Sequence, residues 1–182
     1  MFKQRLSRLL QRVAPLRWLM LLTVGLFGPK HHVGAVGVVF NDEGEVLLVE
    51  HVFRPNYNWG LPGGWVERGE NPADTVRREF EEELGATLEI KQLLLCDVQG
   101  KEPGGTTPRG LALAYYGRLA KENIDLSSAS HAFEVLSIAW VDPAAIEWRL
   151  APFQQRAIDV GKEVFEQEVR NPGVNFRSFP ML

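Results

Sequence analysis

Three glutamates with helical spacing are the residues in this sequence best suited to chemistry. Glu79, Glu82 and Glu83 lie at positions i, i+3 and i+4, which places their side chains on one face of a helix. Carboxylates about 6 Å apart repel by roughly 3 kcal/mol per pair at an effective dielectric constant of about 20. A hard divalent cation removes that repulsion, so the cluster is typical of a Mg²⁺ or Mn²⁺ site. A merely solvated helix face would show the same residues, and the flanking sequence has to distinguish the two interpretations.

The flanking sequence predicts a helix with defined ends. Asn71 followed by Pro72 is an N-cap with proline at the first helical position. Gly85 predicts the end of the helix after Leu84. The predicted apolar face consists of Ala73, Val76, Phe80 and Leu84. The three acids should therefore lie at the edge of the buried stripe, and Glu81 should point to the far side of the helix.

The segment from Gly64 to Ala86 resembles the Nudix box, the signature of hydrolases that act on nucleoside diphosphates linked to another moiety. Its pattern is Gly64-x5-Glu70-x7-Arg78-Glu79-Phe80-x-Glu82-Glu83-x-Gly85-Ala86. At average residue usage, chance agreement at seven fixed positions is about 10⁻⁸ to 10⁻⁹ per starting position. The preceding run Trp59-Gly-Leu61-Pro62-Gly63 is also similar to the run that leads into the box. The last box position usually holds a larger aliphatic residue than Ala86, so we expect looser packing there and unchanged chemistry.

The resemblance implies a role for each residue of the box. It implies that Glu79, Glu82 and Glu83 are catalytic residues that hold Mg²⁺, with Mn²⁺ as a substitute, and that the carbonyl of Gly63 adds a backbone ligand. Glu70 and Arg78 are similar to the pair that ties the loop to the helix, and Arg78 would also orient Glu79 or Glu82. Gly64 and Gly85 would be structural positions of the box. Without Cβ atoms, Gly63 and Gly64 let the chain approach a metal–phosphate cluster closely.

The reaction that the resemblance implies is attack of water on one phosphorus of a pyrophosphate linkage. The substrate would be a nucleoside triphosphate, a nucleotide sugar, ADP-ribose or a similar molecule, whose charge a metal ion would offset. The general base would be Glu79 or Glu83, or an acid outside the box, for which Glu102 and Glu134 are candidates. Arg54 and Arg109 are candidates for binding phosphate. The alternative is a non-catalytic Nudix-fold module that senses a nucleotide, although such modules usually lose box glutamates that this chain retains.

The elements around the box predict an α/β protein, which the resemblance makes a Nudix-type α/β/α sandwich with a mixed sheet. The predicted strands are Val33–Phe40, Glu45–Glu50, Leu88–Val98, Gly110–Leu119 and Glu134–Val141. Trp59–Trp65 is predicted as a loop or irregular strand, and Ala151 to about Val169 as the final helix. The predicted domain covers residues 31–170, and residues 171–182 form an irregular tail.

Residues 1–30 form a predicted extension with its own charge pattern. Six basic residues and no acid precede Asp42, and apolar residues recur at helical spacing from Leu6 to Leu16. This pattern predicts a basic amphipathic helix that Pro15 breaks or kinks. The uncharged stretch from Trp18 to Pro29 has 12 residues, which is too short to cross a bilayer. The extension would either pack on its own domain or a partner subunit, as in a homodimer, or lie on an anionic membrane surface.

Composition excludes several classes of protein. With 182 residues, 45% hydrophobic and 24% charged, the chain matches one globular domain. A net charge of -3 gives no argument for nucleic-acid binding, and the single cysteine, Cys96, excludes an intrachain disulfide. A secretory signal cleaved after Ala35 would cut the first predicted strand. We therefore expect a cytoplasmic protein, either free or peripheral at the membrane.

Overall fold

A computed structural model describes residues 14–27, 32–52, 57–99 and 110–172 of the 182-residue chain. The chain divides into two compact units, Met1–His31 and His32–Leu182. The helices and strands are, in chain order, α1 Ala14–Phe27, β1 His32–Phe40, β2 Val46–His51, β3 Trp59–Gly60, β4 Gly63–Trp65, α2 Pro72–Leu84, β5 Glu89–Gln99, β6 Gly110–Arg118, β7 Val135–Val141 and α3 Pro152–Arg170. The ends of β1, β2, β5, β6, β7, α2 and α3 agree with the predicted ones to within one residue.

In the described part of the second unit, seven strands form one mixed sheet. Its main path runs β3-β2-β1-β6-β5, while β4 pairs with β1 and β7 pairs with β2. Strands β1 and β6 are parallel, with His32 opposite Gly110 and Phe40 opposite Arg118. Strands β5 and β6 are antiparallel, as are β2 and β7. The parallel pair lies in the middle of the sheet, and the antiparallel strands flank it.

A helix covers each face of this sheet, which confirms the predicted α/β/α sandwich. Val38 and Phe40 of β1 lie in the apolar cluster that includes Phe153 of α3. Ala35 and Val39, on the other face of β1, lie in the cluster that includes Phe80 of α2. Because successive side chains of a strand point to opposite faces, one strand supplies both halves of the core.

The ends of α2 follow from local chemistry, as predicted. The Asn71 side-chain oxygen accepts a hydrogen bond from the Ala73 amide at 3.0 Å. Gly85 ends the helix in the left-handed conformation, at φ 60°, and its amide donates to the Glu81 carbonyl at 3.1 Å. The buried face differs slightly from the prediction. Ala73 is only half-buried, whereas Thr75 and Glu83 are buried together with Val76, Phe80 and Leu84.

In the first unit, α1 begins just before Pro15, so this proline lies in the first helical turn, where it is tolerated. The helix continues through the uncharged stretch that starts at Trp18. The basic amphipathic segment predicted upstream lies mostly in residues 1–13, outside the described residues. None of the helices in the described residues combines the length and the apolar character that crossing a membrane requires.

Candidate metal and phosphate site

Strand β4 brings two glycines against the glutamates of α2. Gly63 has φ 137°, which side-chain-bearing residues rarely adopt, and a Cβ there would lie 2.7 Å from the Cα of Val36. A Cβ on Gly64 would lie 2.6 Å from Cδ of Glu79. The backbone at Gly64 therefore touches the Glu79 carboxylate directly. The β4–β1 pairing fixes this contact, with Gly64 opposite Ala35.

Arg78 joins the box loop to the acidic face of α2. Its Nε donates to Glu70 Oε1 at 3.0 Å, and its Nη2 donates to Glu70 Oε2 and to the Trp65 carbonyl, both at 3.3 Å. Its Nη1 donates to Glu79 Oε1 at 2.9 Å and to Glu82 Oε2 at 3.0 Å. One guanidinium thus contacts three carboxylates. The structure brings together the residues that the sequence predicted as a loop-to-helix pair and as acids oriented by Arg78.

Glu70 accepts hydrogen bonds from three residues of the box. Besides Arg78, it accepts hydrogen bonds from Thr75 Oγ1 at 2.6 Å and from the Glu67 amide at 3.0 Å. Hydrogen bonding from Arg78 is the largest cause that lowers the pKa of Glu70, from 4.5 to about 2. The same contact is the largest cause that raises the pKa of Arg78. The loop is therefore tied to the helix by a pair that stays charged over the physiological pH range.

We expect the stability contribution of Glu70 to vanish in acid. The pKa of Glu70 is lower in the folded chain, so its contribution is complete above about pH 4.5, the unfolded value, and is lost as the pH falls towards about 2. The free-energy difference between wild type and Glu70→Gln, measured by urea unfolding, should shrink over this range. Arg68→Gln, an exposed change of a non-acidic residue in the same loop, should show no such trend. A Glu70→Gln difference that stays constant with pH would contradict the assignment.

The acidic face differs in burial from one glutamate to the next. Glu83 is only 4% exposed, so it lies deeper than the predicted edge of the stripe. Glu79 and Glu82 are partly buried. Burial is the largest cause that raises the pKa of Glu79, the Arg78 guanidinium opposes it, and the charges of Glu82 and Glu134 add to the increase. Glu134 therefore lies within electrostatic reach of Glu79, beside the box.

His131 is a neighbour of the site that the sequence interpretation missed. Its amide donates to the Glu82 carbonyl at 2.7 Å, and its Nδ1 lies 3.3 Å from Glu82 Oε2. Its ring forms an edge contact with Phe133, at 5.9 Å between centroids. Residues Ala132–Glu134 form a short 3₁₀ turn, and the Val52 amide donates to the Glu134 carbonyl. No local spacing relates this turn to the box, because the pairing of β7 with β2 brings it there.

The donor set of α2 suits a hard divalent ion, and Gly64 leaves room beside Glu79 that a Cβ would fill. Within the described residues, no three His, Cys, Asp or Glu side chains are already arranged around a common point for a metal. The carboxylates of Glu79 and Glu82 do not converge on a metal position because both are turned towards Arg78 Nη1. Two of the predicted metal ligands, Glu79 and Glu82, are thus held side by side by the guanidinium. Arg54, Glu102 and Arg109 lie outside the described residues.

The fold and the site define the class of the protein, a Nudix-type α/β/α domain whose box forms a loop and a glutamate-bearing helix. The model of the NUDIX domain family matches residues 30–160, and the chain belongs to this family.

Known relatives agree with this assignment. The mouse protein named nucleoside diphosphate-linked moiety X motif 6 is 33% identical over 113 residues, which are 62% of this chain and 35% of that protein. The chain therefore spans about a third of that curated relative. The crystal structure of a MutT NUDIX hydrolase from Burkholderia pseudomallei is 24% identical with a TM-score of 0.60, and the match covers 72% of this chain and 98% of that one. The NUDIX domain of Shewanella oneidensis NrtR, crystallised with ADP ribose, is 19% identical with a TM-score of 0.62, over 80% of this chain and 97% of that one.

Proposed function

We propose that this protein is a Mg²⁺-dependent hydrolase that cleaves a pyrophosphate linkage in a nucleoside-diphosphate-linked substrate. The observation that carries the proposal is the set of three glutamates, Glu79, Glu82 and Glu83, all retained on one helix against the Gly63–Gly64 strand. A sensing module has no need for all three carboxylates on one helix face. Arg78 offsets part of the repulsion at Glu79 and Glu82, and a bound divalent cation would remove the rest. Family membership supports the same chemistry.

The proposed metal ligands are Glu79, Glu82, Glu83 and the Gly63 carbonyl. A bound Mg²⁺, or Mn²⁺ in its place, would offset the phosphate charge and lower the pKa of the attacking water. Arg78 keeps Glu79 and Glu82 on the same side of α2 and holds Glu70, so it aligns the ligand face with the loop. Its role is to position the ligands, because all its hydrogen bonds on the described residues run to Glu70, Glu79, Glu82 and the Trp65 carbonyl.

The base that removes the water proton is proposed among the carboxylates beside this face. Glu79 and Glu83 lie within it. From outside the box we favour Glu134, because its turn contacts α2 through His131 and its charge acts on Glu79. A carboxylate just outside the ligand set can accept a proton from water without releasing the metal.

The nucleobase of the substrate is proposed to stack on the ring of Phe133. This ring is 66% exposed, which is unusual for a large aromatic side chain, and it lies against His131, which itself contacts Glu82. Stacking of a base on an aromatic ring is worth about 1–3 kcal/mol. A nucleotide whose phosphates lie at the glutamates would extend towards this ring, which suits a nucleoside diphosphate rather than inorganic pyrophosphate.

We expect Phe133→Ala to raise KM for the nucleotide substrate by about 5- to 100-fold, from the loss of stacking. The value of kcat should change by only a few-fold, because stacking acts on the nucleobase and not on the phosphorus that reacts. Val169→Ala, an exposed apolar truncation on α3 in the opposite layer, is the matched control and should leave KM unchanged. Steady-state kinetics measure KM and kcat for both variants. An unaltered KM for Phe133→Ala would contradict stacking of the nucleobase on Phe133.

A substrate panel tests the proposed function. Purified protein with Mg²⁺ is incubated with nucleoside triphosphates, nucleotide sugars, ADP-ribose and dinucleotides, and the release of phosphate or nucleotide products is scored. Cleavage of at least one class supports the hydrolase. Tight binding of a nucleotide without any turnover would instead identify the sensing module.

A further inference from the structure

Helix α1 presents a broad apolar surface. Its large exposed side chains are Trp18 (71%), Leu19 (59%), Leu21 (57%), Leu22 (57%) and Leu26 (63%). At 3.6 residues per turn these positions cover more than a third of the circumference of the helix. The polar residue Thr23 lies at one border of this arc, and its hydroxyl bonds the Leu19 carbonyl. Contiguous exposed apolar surface of this kind marks an interaction site.

The length of α1 restricts how it can meet a membrane. A helix of 14 residues is about 21 Å long at about 1.5 Å per residue. The hydrocarbon core of a bilayer is about 30 Å thick, so α1 cannot cross it. A short, largely apolar helix that carries a tryptophan and follows several basic residues fits a segment that lies at the level of the headgroups and buries apolar side chains among the acyl chains.

The charge of the segment indicates which surface the arc would meet. Lys3, Arg5, Arg8, Arg12 and Arg17 precede or lie within α1, and the first acid of the chain is Asp42. A second copy of the same segment would bring like charges together. An anionic bilayer offers acidic headgroups for the basic residues and acyl chains for the leucines of α1. Each basic residue near such a surface contributes about 1 kcal/mol.

We propose that α1, with the basic residues before it, binds the surface of anionic membranes and holds the Nudix domain there. The attachment is independent of hydrolysis, because the segment lies before residue 30, where the family match begins. A membrane-binding experiment therefore tests the role of α1 separately from the proposed hydrolysis.

The test uses full-length protein and vesicles made either of phosphatidylcholine alone or of phosphatidylcholine mixed equally with phosphatidylglycerol. Wild type should co-sediment with the anionic vesicles and be released at high salt. Leu22→Ser removes one leucine from the arc and should weaken binding by about 10- to 100-fold. Thr23→Ser, a change at the adjacent border position, is its matched control and should bind like wild type. Combined Arg5→Gln, Arg8→Gln and Arg12→Gln should weaken binding by about 10²-fold.

Melting temperatures of all variants should equal that of wild type, so that loss of binding cannot be ascribed to unfolding. The proposal is overturned if wild type sediments with neither vesicle, if it binds both alike at every salt concentration, or if Leu22→Ser binds as well as wild type. It is also overturned by a dimer that Leu22→Ser dissociates in the absence of vesicle binding, which would assign the arc to a second copy.

Discussion

Replacing Glu83 by Gln should lower kcat by at least about 10²-fold while leaving the fold intact. Glu83 is the most buried of the three glutamates proposed as metal ligands, at 4% exposure. Gln keeps the size and helix propensity of Glu but removes an anionic ligand, and charge stabilisation at a phosphoryl centre is worth about this factor. Without metal, the melting temperature should hold or rise, because one of three repelling charges is gone.

The matched control for Glu83→Gln is Glu81→Gln. Glu81 lies on the exposed side of the same helix, two residues before Glu83, and its replacement should leave turnover unchanged. Mg²⁺ should raise the melting temperature of wild type and of Glu81→Gln, and raise that of Glu83→Gln less. Wild-type turnover of Glu83→Gln at limiting Mg²⁺ would show that the metal-ligand assignment is wrong.

Gly64→Ala should lower kcat by about 10- to 100-fold, because it displaces the carboxylate of Glu79. The new Cβ would lie 2.6 Å from Glu79 Cδ, closer than such atoms approach, so one of the two groups has to move. The end of a flexible side chain moves at small cost, so Glu79 leaves its place while the backbone stays. Misplacement of a catalytic group by about 1 Å can cost about 10²-fold in rate.

Two neighbouring glycines separate this effect from a general loss of stability. Gly69 has φ 84°, and a Cβ added there would have no neighbour within 4 Å, so Gly69→Ala should cost about 1 kcal/mol of stability and leave kcat unchanged. At Gly63 the Cβ would meet the backbone of β1, so Gly63→Ala should lower the melting temperature markedly. If Gly64→Ala lowers the melting temperature as much as Gly63→Ala, or keeps full activity, the proposed contact with Glu79 does not govern catalysis.

The parts of the fold that sequence predicted well are those set by local chemistry. The ends of α2 follow from Asn71, Pro72 and Gly85, whose roles depend only on adjacent backbone groups. The strands follow from apolar runs bounded by turns. The contacts within the box are also close in sequence. Helical spacing favours the Arg78–Glu82 pair, and the resemblance to the Nudix box implied the Glu70–Arg78 pair.

The rest of the site depends on packing between distant segments. His131 reaches α2 through packing of distant segments, including the pairing of β7 with β2 and the hydrogen bond from the Asp125 amide to the Leu84 carbonyl. No pattern near residue 131 signals either contact. The burial of Glu83 was underestimated for a related reason. The spacing of apolar residues along the helix identifies Val76, Phe80 and Leu84 as buried. It does not identify polar residues that are also buried, such as Thr75.

Hydrolysis in water labelled with heavy oxygen is the decisive test of metal-dependent attack by water on phosphorus. Wild type and Glu83→Gln are incubated, with and without Mg²⁺, with the substrate that the panel identifies, and the products are examined by mass spectrometry. We expect wild type with Mg²⁺ to place one labelled oxygen on a phosphate of one product. Omission of Mg²⁺ should abolish this incorporation, and Glu83→Gln should slow it by at least about 10²-fold. Cleavage that proceeds equally without Mg²⁺ or with Glu83→Gln, or a product without label on phosphorus, would contradict the proposed hydrolysis.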